Sequence, residues 1–352
     1  MIYTKTVMLD DLKYIHEKDA QDALGIASKQ PEQLLYDFDL SAWAPTKPFA
    51  NIVYAGMGGS ALAALLSSLW PGYRVPFELS RQYTIPEYVG KNTLFIASSY
   101  SGNTEETITA ITAAEKKGAH IVVIAGGGKL VEIAKDKGYH CIVLPKAEQP
   151  RYAVFYNLKA IVQLLGKADM FVDNTTEAEL SKTAGFLTNH IANLLPDVPT
   201  GKNPAKKLAK DLMGKSIVVY AGEFLAPAAY KWKISFNENA KNVAWQGTYP
   251  EFNHNEFIGW SSHPVQKPYA VVDLRSSFEH PRVQKRFELS AKLLSGKRPE
   301  PHVVQAEGQT HLEQLLWTVL MGDFTSIYLG LLNGLNPAPV ELVEKFKREL
   351  GD

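Results

Sequence analysis

The chain has 352 residues, of which 45% are hydrophobic and 21% are charged, a composition that predicts a globular fold of about two domains. Its 37 basic residues balance 37 acidic ones, which argues against a surface for nucleic acid and leaves room only for a local basic pocket. The single cysteine, Cys141, excludes an internal disulfide and suits a reducing compartment. Acidic residues near the start argue against a secretory signal, and we expect no window with the roughly 18 apolar residues of a membrane span, so we predict a cytoplasmic protein without a membrane partner.

The first 48 residues are predicted to form amphipathic helices. Leu12, Ile15 and His16 fall on one helical face, and a break is expected near Pro31. The segment has no basic recognition-helix pattern, which argues against a DNA-binding head.

A strand, a glycine-rich turn and a helix follow. The strand is Ile52-Val53-Tyr54-Ala55, the turn is Gly-Met-Gly-Gly-Ser, and an alanine- and leucine-rich helix runs through residue 69. The turn lacks the G-x-G-x-x-G spacing, and no P-loop lysine follows it. Gly59 allows close approach of backbone to a ligand, and Ser60 adds a hydroxyl.

A second special turn follows the apolar strand predicted over residues 93–97. Asn103 or Thr104 is expected to cap the helix that comes next. Unpaired amides at the helix start, together with the hydroxyls of Ser99, Ser101 and Thr104, predict a pocket for an anion, and phosphate fits best. The alternative is a turn whose hydroxyls only cap the helix.

Strands alternate with helices through the first half. Further strands are predicted at residues 75–79, 121–125 and 141–144, which gives four or five parallel strands in a doubly wound sheet. Because the carboxyl ends of parallel strands meet at one edge, both special turns are expected there. The glycine run 126–128 is interpreted as a strand-exit turn.

Arg151 follows Pro150 near the start of a helix that runs through Leu165. From this position its guanidinium could reach the same sheet edge, although a surface arginine is the alternative. Residues 166 to about 214 are predicted to be polar helices that link two domains.

The second half repeats the first. Ile217-Val218-Val219-Tyr220-Ala221-Gly222 matches the pattern that begins at Asn51, which predicts a duplicated α/β unit. Further strands are predicted over 269–274 and 302–305, before a long helix over 311–332. The second copy's turn, residues 223–227, has neither a glycine pair nor a hydroxyl, so we expect one phosphate pocket per chain.

The stretches 237–242 and 250–256 concentrate carboxylates, amides, a lysine and a histidine on a predicted helix end and loop. Glu238 ends an amphipathic helix, and a carboxylate partly removed from water can serve as a general base. His254 can exchange a proton near neutral pH. One histidine among asparagines gives no metal-ligand spacing, so we expect no metal, and structural roles for both residues remain the alternative.

Five motifs together resemble the sugar isomerase (SIS) domain proteins, and within them the bifunctional phosphoglucose/phosphomannose isomerases. They are G-M-G-G-S (56–60), S-Y-S-G-N-T (99–104), P-R (150–151), N-E-N-A-K (237–241) and P-E-F-N-H-N-E (250–256). S-Y-S-G-N-T alone identifies only a sugar-phosphate-binding SIS domain, whereas the last two motifs together are specific to the isomerase group.

The resemblance implies two flavodoxin-like, doubly wound SIS subdomains of the α/β class, related by internal duplication and preceded by N-terminal helices. The expected segments are a helical start, a first SIS domain with the phosphate site, a helical linker and a second SIS domain with the catalytic glutamate and histidine. Their predicted bounds are 1–48, 49–168, 169–214 and 215–352.

The resemblance also implies how the substrate is held. The family binds the phosphate of a sugar 6-phosphate with its glycine-serine and serine-threonine turns. The matching residues here are Gly59, Ser60, Ser99, Ser101 and Thr104.

The implied reaction is metal-independent, needs no cofactor, and interconverts glucose 6-phosphate, and mannose 6-phosphate, with fructose 6-phosphate through a cis-enediol. Glu238 would move a proton between C1 and C2, and Arg151 would stabilise the enediolate. His254, supplied by the neighbouring subunit of a homodimer, would assist ring opening with a C-terminal lysine. Lys347 matches the family ending best, with Lys345 second.

The chain departs from the family at two places that bear on substrate preference. Asn336-Pro337-Ala338-Pro339 stands where the family has D-P-T-P, and Tyr230-Lys231-Trp232-Lys233 stands where it has an arginine-rich run. The alternatives are therefore an isomerase of another sugar phosphate, or a non-catalytic SIS sensor of sugar phosphates.

Overall fold

A computed structural model describes residues 8–45, 48–147, 150–172, 175–262 and 268–350. The helices and strands are, in chain order, α1 (Leu12–Lys18), α2 (Ala23–Ser28), β1 (Asn51–Ala55), α3 (Gly58–Leu69), β2 (Phe77–Ser80), β3 (Thr93–Ser99), α4 (Glu105–Lys116), β4 (His120–Ala125), α5 (Gly128–Lys137), β5 (His140–Val143), α6 (Val154–Lys167), α7 (Thr176–Ile191), α8 (Pro204–Leu212), β6 (Ser216–Ala221), α9 (Ala226–Asn239), β7 (Ala244–Thr248), α10 (Glu256–Gly259), β8 (Tyr269–Arg275), α11 (Pro281–Leu293), β9 (His302–Gln305), α12 (His311–Leu332) and α13 (Glu341–Leu350). Short 3₁₀ turns at Met8–Asp10, Gln30–Leu35, Pro150–Tyr152, Ala192–Leu194, Glu251–His254 and Trp260–Ser262 join some of them.

The chain divides into two compact units. The first unit comprises Lys29–Ala184 and Glu341–Asp352, and the second comprises Met1–Ser28 and Gly185–Val340. These units cut the chain at different places from the predicted segments, because α1 and α2 group with the second unit and α13 groups with the first.

The first unit is built on a parallel sheet with the strand order β2-β1-β3-β4-β5. All of its strand pairs are parallel, with Ile52 beside Leu94 and Leu94 beside His120. All seven residues of β3 are buried, as its apolar sequence predicts for a strand covered on both faces. The strand order reverses between β1 and β3, which is the switch point where ligands of doubly wound sheets bind. The predicted strands of this half are confirmed.

The turn after β3 packs tightly on the turn after β4. Gly102 has φ +71°, and a Cβ on it would lie 1.6 Å from the carbonyl oxygen of Gly127. The backbone amide of Leu130 donates to the Gly102 carbonyl, and that of Gly126 donates to the Tyr100 carbonyl. The glycine run 126–128 is therefore a strand-exit turn that supports its neighbour, as the sequence analysis interpreted it.

The second unit repeats this arrangement with the order β7-β6-β8-β9, again with every pair parallel. Strand β7 was not predicted. Its sequence, A-W-Q-G-T, has no continuous apolar run, and Trp245 and Gln246 are exposed because β7 lies at the sheet edge.

Helix α12 is the central helix of the second unit. It is long and apolar enough, with a mean hydropathy of 1.5, to pass as a membrane span by length and composition, so the expectation that no such window exists was wrong. All of the apolar window is buried inside the structure. Its apolar character is accounted for by packing, since α12 contacts both α8 and α9.

We predict that Gly102→Ala destabilises the protein far more than Gly138→Ala. Both residues have a positive φ, of +71° and +69°, but a Cβ at Gly138 meets no atom within 4 Å. The control should lose about 1 kcal/mol for the strained backbone, and Gly102→Ala at least ~2 kcal/mol more because two turns must separate. Urea unfolding measures both; equal losses would contradict the close packing of the two turns.

Candidate active site

A cluster of hydroxyls lies where β3 ends in the first unit. The Ser99 hydroxyl lies 2.8 Å from that of Thr104 and 3.3 Å from that of Ser101. The amide of Gly102 donates to Ser99 Oγ, and the amide of Asn103 donates to Ser101 Oγ. The three hydroxyls predicted to hold a phosphate are thus brought together in one turn.

Two helix starts are without a side-chain cap at this edge. The residues before α3 and α4 are Met57 and Thr104, and neither makes a side-chain capping hydrogen bond. The predicted cap on α4 is therefore wrong: the Thr104 hydroxyl turns to Ser99, and the Asn103 side chain accepts from the amide of Lys129 at the start of α5. Uncapped amides at a helix start carry partial positive charge and favour an anion.

Arg151 lies beside the glycine-rich turn. A Cβ on Gly59 would lie 3.5 Å from the carbonyl oxygen of Pro150 and 3.9 Å from the Cα of Arg151. Arg151 is only 6% exposed, and its guanidinium carbon lies 5.3 Å from the centre of the Tyr152 ring. The alternative of an ordinary surface arginine is therefore excluded by its burial. Arg151 therefore lies beside the turn that follows β1, in the same unit as the hydroxyl cluster that follows β3. Gly59 and Ser60 lie at the start of α3, next to that turn.

Glu238 lies in the last turn of α9, within a motif whose asparagines and lysine hold the helix end in place. Asn239 donates to the Ser326 hydroxyl at 2.9 Å, and Lys241 donates to the carbonyls of Asn336 and Pro337. Asn237 donates to two backbone carbonyls, at Lys233 and Ala244. The half-buried Glu238 is thus held on a helix end whose position is fixed on several sides.

A buried polar ladder fixes the register of α9 against α12. Lys231 forms an ion pair with Asp323 at 2.6 Å, and both side chains are at most 1% exposed. Ser235 donates to the same carboxylate oxygen at 2.7 Å. Residues 231, 235 and 239 recur every four positions, so they lie on one face of α9 and direct that face toward α12.

His254 is exposed at the end of a 3₁₀ turn. Tyr220 contacts residues on both sides of His254 in the sequence. The Tyr220 ring lies 4.5 Å from that of Phe252, and its hydroxyl donates to the Glu256 carboxylate at 2.8 Å. The same hydroxyl accepts from Trp260 Nε1 at 3.1 Å. Burial, with a smaller effect from Glu256, raises the pKa of the Tyr220 hydroxyl far above its usual range, so it remains a donor. This role of Tyr220 was not predicted, although the residue stands in the repeated strand motif.

Glu238 and His254 lie at opposite ends of one strand. Glu238 precedes β7 and His254 follows it. Five residues of strand span about 16 Å, so the length of β7 lies between the helix end that carries Glu238 and the turn that carries His254.

The candidate C-terminal lysines lie on α13. Lys347 forms an ion pair with Glu344 at 3.1 Å, and both Lys347 and Lys345 are exposed. The structure therefore does not favour one lysine over the other. Within the described ranges, no group of three His, Cys, Asp or Glu side chains is placed to hold a metal ion.

Comparison with known proteins first defines the class. A profile described as the bacterial phospho-glucose isomerase C-terminal SIS domain matches residues 201–350. The crystal structure of a glucose-6-phosphate isomerase like protein from Thermus thermophilus has a TM-score of 0.66, at 19% identity, over 97% of this chain and 98% of that one. The fold is therefore that of the SIS proteins, and the predicted fold class is confirmed.

Sequence relatives then give the family. The bifunctional phosphoglucose/phosphomannose isomerase of Aquifex aeolicus (strain VF5) is 33% identical over 306 residues, which cover 86% of this chain and 91% of that protein. The D-glucosamine-6-phosphate 4-epimerase of Sulfolobus acidocaldarius is 35% identical over 227 residues, 64% of this chain and 69% of that protein. The chain belongs to the bifunctional phosphoglucose/phosphomannose isomerase family, as its motifs predict.

We predict that Tyr220→Phe loosens the segment that carries His254. Loss of the hydroxyl removes hydrogen bonds to Glu256 and Trp260, at a cost of ~1–3 kcal/mol in the free energy of unfolding. Amide hydrogen exchange over residues 252–260 should become faster. Tyr54→Phe is the matched control, because Tyr54 occupies the equivalent strand and its hydroxyl donates to Asn157. Equal exchange of 252–260 in both variants would remove Tyr220 from this role.

Proposed function

We propose that the chain is an aldose-ketose isomerase that interconverts glucose 6-phosphate, and mannose 6-phosphate, with fructose 6-phosphate. The observation that carries the proposal is Glu238. In a chain of this family, it is the acidic member of a motif whose neighbouring side chains fix the helix end on which it lies. A held carboxylate is what proton transfer between adjacent carbons requires.

The phosphate group is the part of the substrate that the first unit binds. The hydroxyls of Ser99, Ser101 and Thr104 donate hydrogen bonds to it, and the start of α3 adds the amide of Gly59 and the hydroxyl of Ser60. Binding energy gained at the phosphate, remote from the reacting carbons, positions the sugar for reaction.

The proton transfer proceeds through a cis-enediol. The Glu238 carboxylate removes the proton from C2 of the open-chain aldose, and the electron pair moves to form the C1–C2 double bond while charge develops on O1. The buried guanidinium of Arg151 stabilises that charge. A proton then passes from the O2 hydroxyl to O1, and as the C2=O2 double bond forms, Glu238 returns its proton to C1, which gives the ketose, with neither a metal nor a redox cofactor in the scheme. His254 and Lys347 exchange the protons of ring opening.

Glu238→Gln should lower kcat by a factor on the order of 10²–10⁴, because the amide cannot accept the proton. KM should change little, since the phosphate contacts are intact. A coupled assay of fructose 6-phosphate formation measures both constants. Glu132→Gln, the same change at an exposed glutamate on α5, is the control and should leave kcat unchanged; unchanged turnover in Glu238→Gln would remove Glu238 from the mechanism.

The active form is a homodimer in which each subunit supplies His254 to the other. The position of Glu238 and His254 at opposite ends of β7 supports this part of the proposal, because one chain cannot easily bring both to a small sugar. A cytoplasmic location follows from the same metabolic role.

Mixing two inactive variants tests the exchange of histidine. A dimer of one Glu238→Gln chain and one His254→Ala chain retains one complete site only if the histidine crosses between subunits. After unfolding and refolding an equal mixture, we expect about a quarter of the wild-type activity, since half of the dimers are hybrids with one working site. Each variant refolded alone is the control, and a mixture no more active than these places His254 in its own subunit's site.

The epimerase relative makes a different sugar phosphate the second candidate substrate. Purified protein should be incubated separately with fructose, glucose, mannose and glucosamine 6-phosphates, each with and without a chelator. Conversion among the first three supports the proposal, and a changed configuration at C4 of glucosamine 6-phosphate supports the alternative. Binding of all four without any conversion would indicate a sensor.

A further inference from the structure

The second unit contains a buried carboxylate that the proposed reaction does not use. Glu279 is 5% exposed, and its Oε1 accepts from the amide of Leu225 at 3.3 Å. A Cβ on Gly222 would lie 2.2 Å from the Glu279 carboxyl carbon. Only glycine therefore lets the carboxylate lie against this turn, which leads from β6 to the start of α9.

This turn corresponds to the glycine-rich turn of the first unit. Strands β6 and β8 occupy the places in their sheet that β1 and β3 occupy in theirs, and the strand order reverses between them. In the first unit, the turns after β1 and β3 form the candidate phosphate site. In the second unit, Glu279 comes from the segment after β8 and reaches the turn after β6.

The surroundings of Glu279 are suited to an anion. Helix α9 has fourteen residues, and no side chain of the residue before it caps its start. Burial raises the pKa of Glu279 to about 6, while the amides of Leu225 and Phe224 lower it, so the group is ionised at neutral pH. The carboxylate therefore lies at the partly positive end of a helix and accepts hydrogen bonds there.

The hydroxyls of this copy are already engaged. Gln314 of α12 accepts from the Ser276 hydroxyl at 2.6 Å and donates to the Ser277 hydroxyl at 2.7 Å. In the first unit the corresponding hydroxyls bond to one another. The turn after β6, residues 223–227, has no hydroxyl of its own, and the Ser276 hydroxyl already donates to Gln314, so the turn offers amides to an anion.

We propose that the β6–α9 turn is a second anion-binding site of the duplicated fold, and that the carboxylate of Glu279 is its resident ligand. Removal of that carboxylate opens a site for a small external anion, of which a carboxylate such as acetate matches the group removed. Because Glu279 already fills this turn, the chain offers one phosphate pocket although it contains two copies of the fold. This inference does not require the first unit to bind phosphate.

Acetate rescue of Glu279→Ala tests the proposal. The variant should melt at a lower temperature than the wild type in chloride, and acetate at the same ionic strength should restore the Tm with a saturating dependence. Glu279→Gln is the matched control, because its amide fills the same space and leaves no room for acetate. A Tm that responds equally to acetate in both variants, or in neither, overturns the proposal.

The site can also be observed directly. Crystals of Glu279→Ala soaked in acetate should show electron density for acetate within hydrogen-bond distance of the Leu225 amide, and crystals of Glu279→Gln should show none. In a separate soak, selenate at the hydroxyl cluster of the first unit reports on the proposed phosphate site. Glu279→Ser replaces the alanine variant if that does not fold, and if neither folds in chloride, refolding in acetate decides: no gain in yield contradicts the proposal.

Discussion

Parallel pairing of β1 with β3 is the constraint on which the first unit's candidate site depends. It brings the carboxyl ends of both strands to one edge, so the glycine-rich turn and the serine-rich turn become neighbours although about forty residues separate them. Because neither following helix is capped by a side chain, both helix starts present amides at that edge. The direction of the strands thus decides that both turns present amides at one edge, and the side chains of the turns add hydroxyls.

The second unit places its carboxylate by a different means. A buried lysine, a serine and an aspartate join α9 to α12, and removing only one charge of such a pair typically costs ~3–5 kcal/mol. An apolar interface could hold the two helices together, but it would allow them to slide more easily. The ionic contact gives α9 one register, which fixes where Glu238 lies.

The sequence predicted most of the fold because its strong signals are local. Apolar runs such as 93–97 and 217–221 identify buried strands, and the 311–332 pattern gives the bounds of α12. Strand β7 was missed because it lies at the edge of the sheet. Its Trp245 and Gln246 are exposed, so its sequence lacks the continuous apolar run of a buried strand. The cap on α4 was mispredicted because Thr104 has two partners within reach, and only the folded turn selects Ser99. The contact of Glu279 with Gly222 joins residues 57 positions apart, and no local pattern reports it. The roles of the site residues stay predictions, whereas their grouping within each unit is visible.

The connectivity of the second unit has a consequence for synthesis on the ribosome. Lys206 donates to the Leu9 carbonyl, Tyr14 donates to the Leu331 carbonyl, and Lys231 meets its counter-ion roughly ninety residues later in the chain. This unit therefore cannot close until nearly the whole polypeptide has emerged. The sheet of the first unit comes from one continuous stretch and can form earlier, so newly made chains are expected to acquire the hydroxyl cluster before the helix end that carries Glu238 is secured.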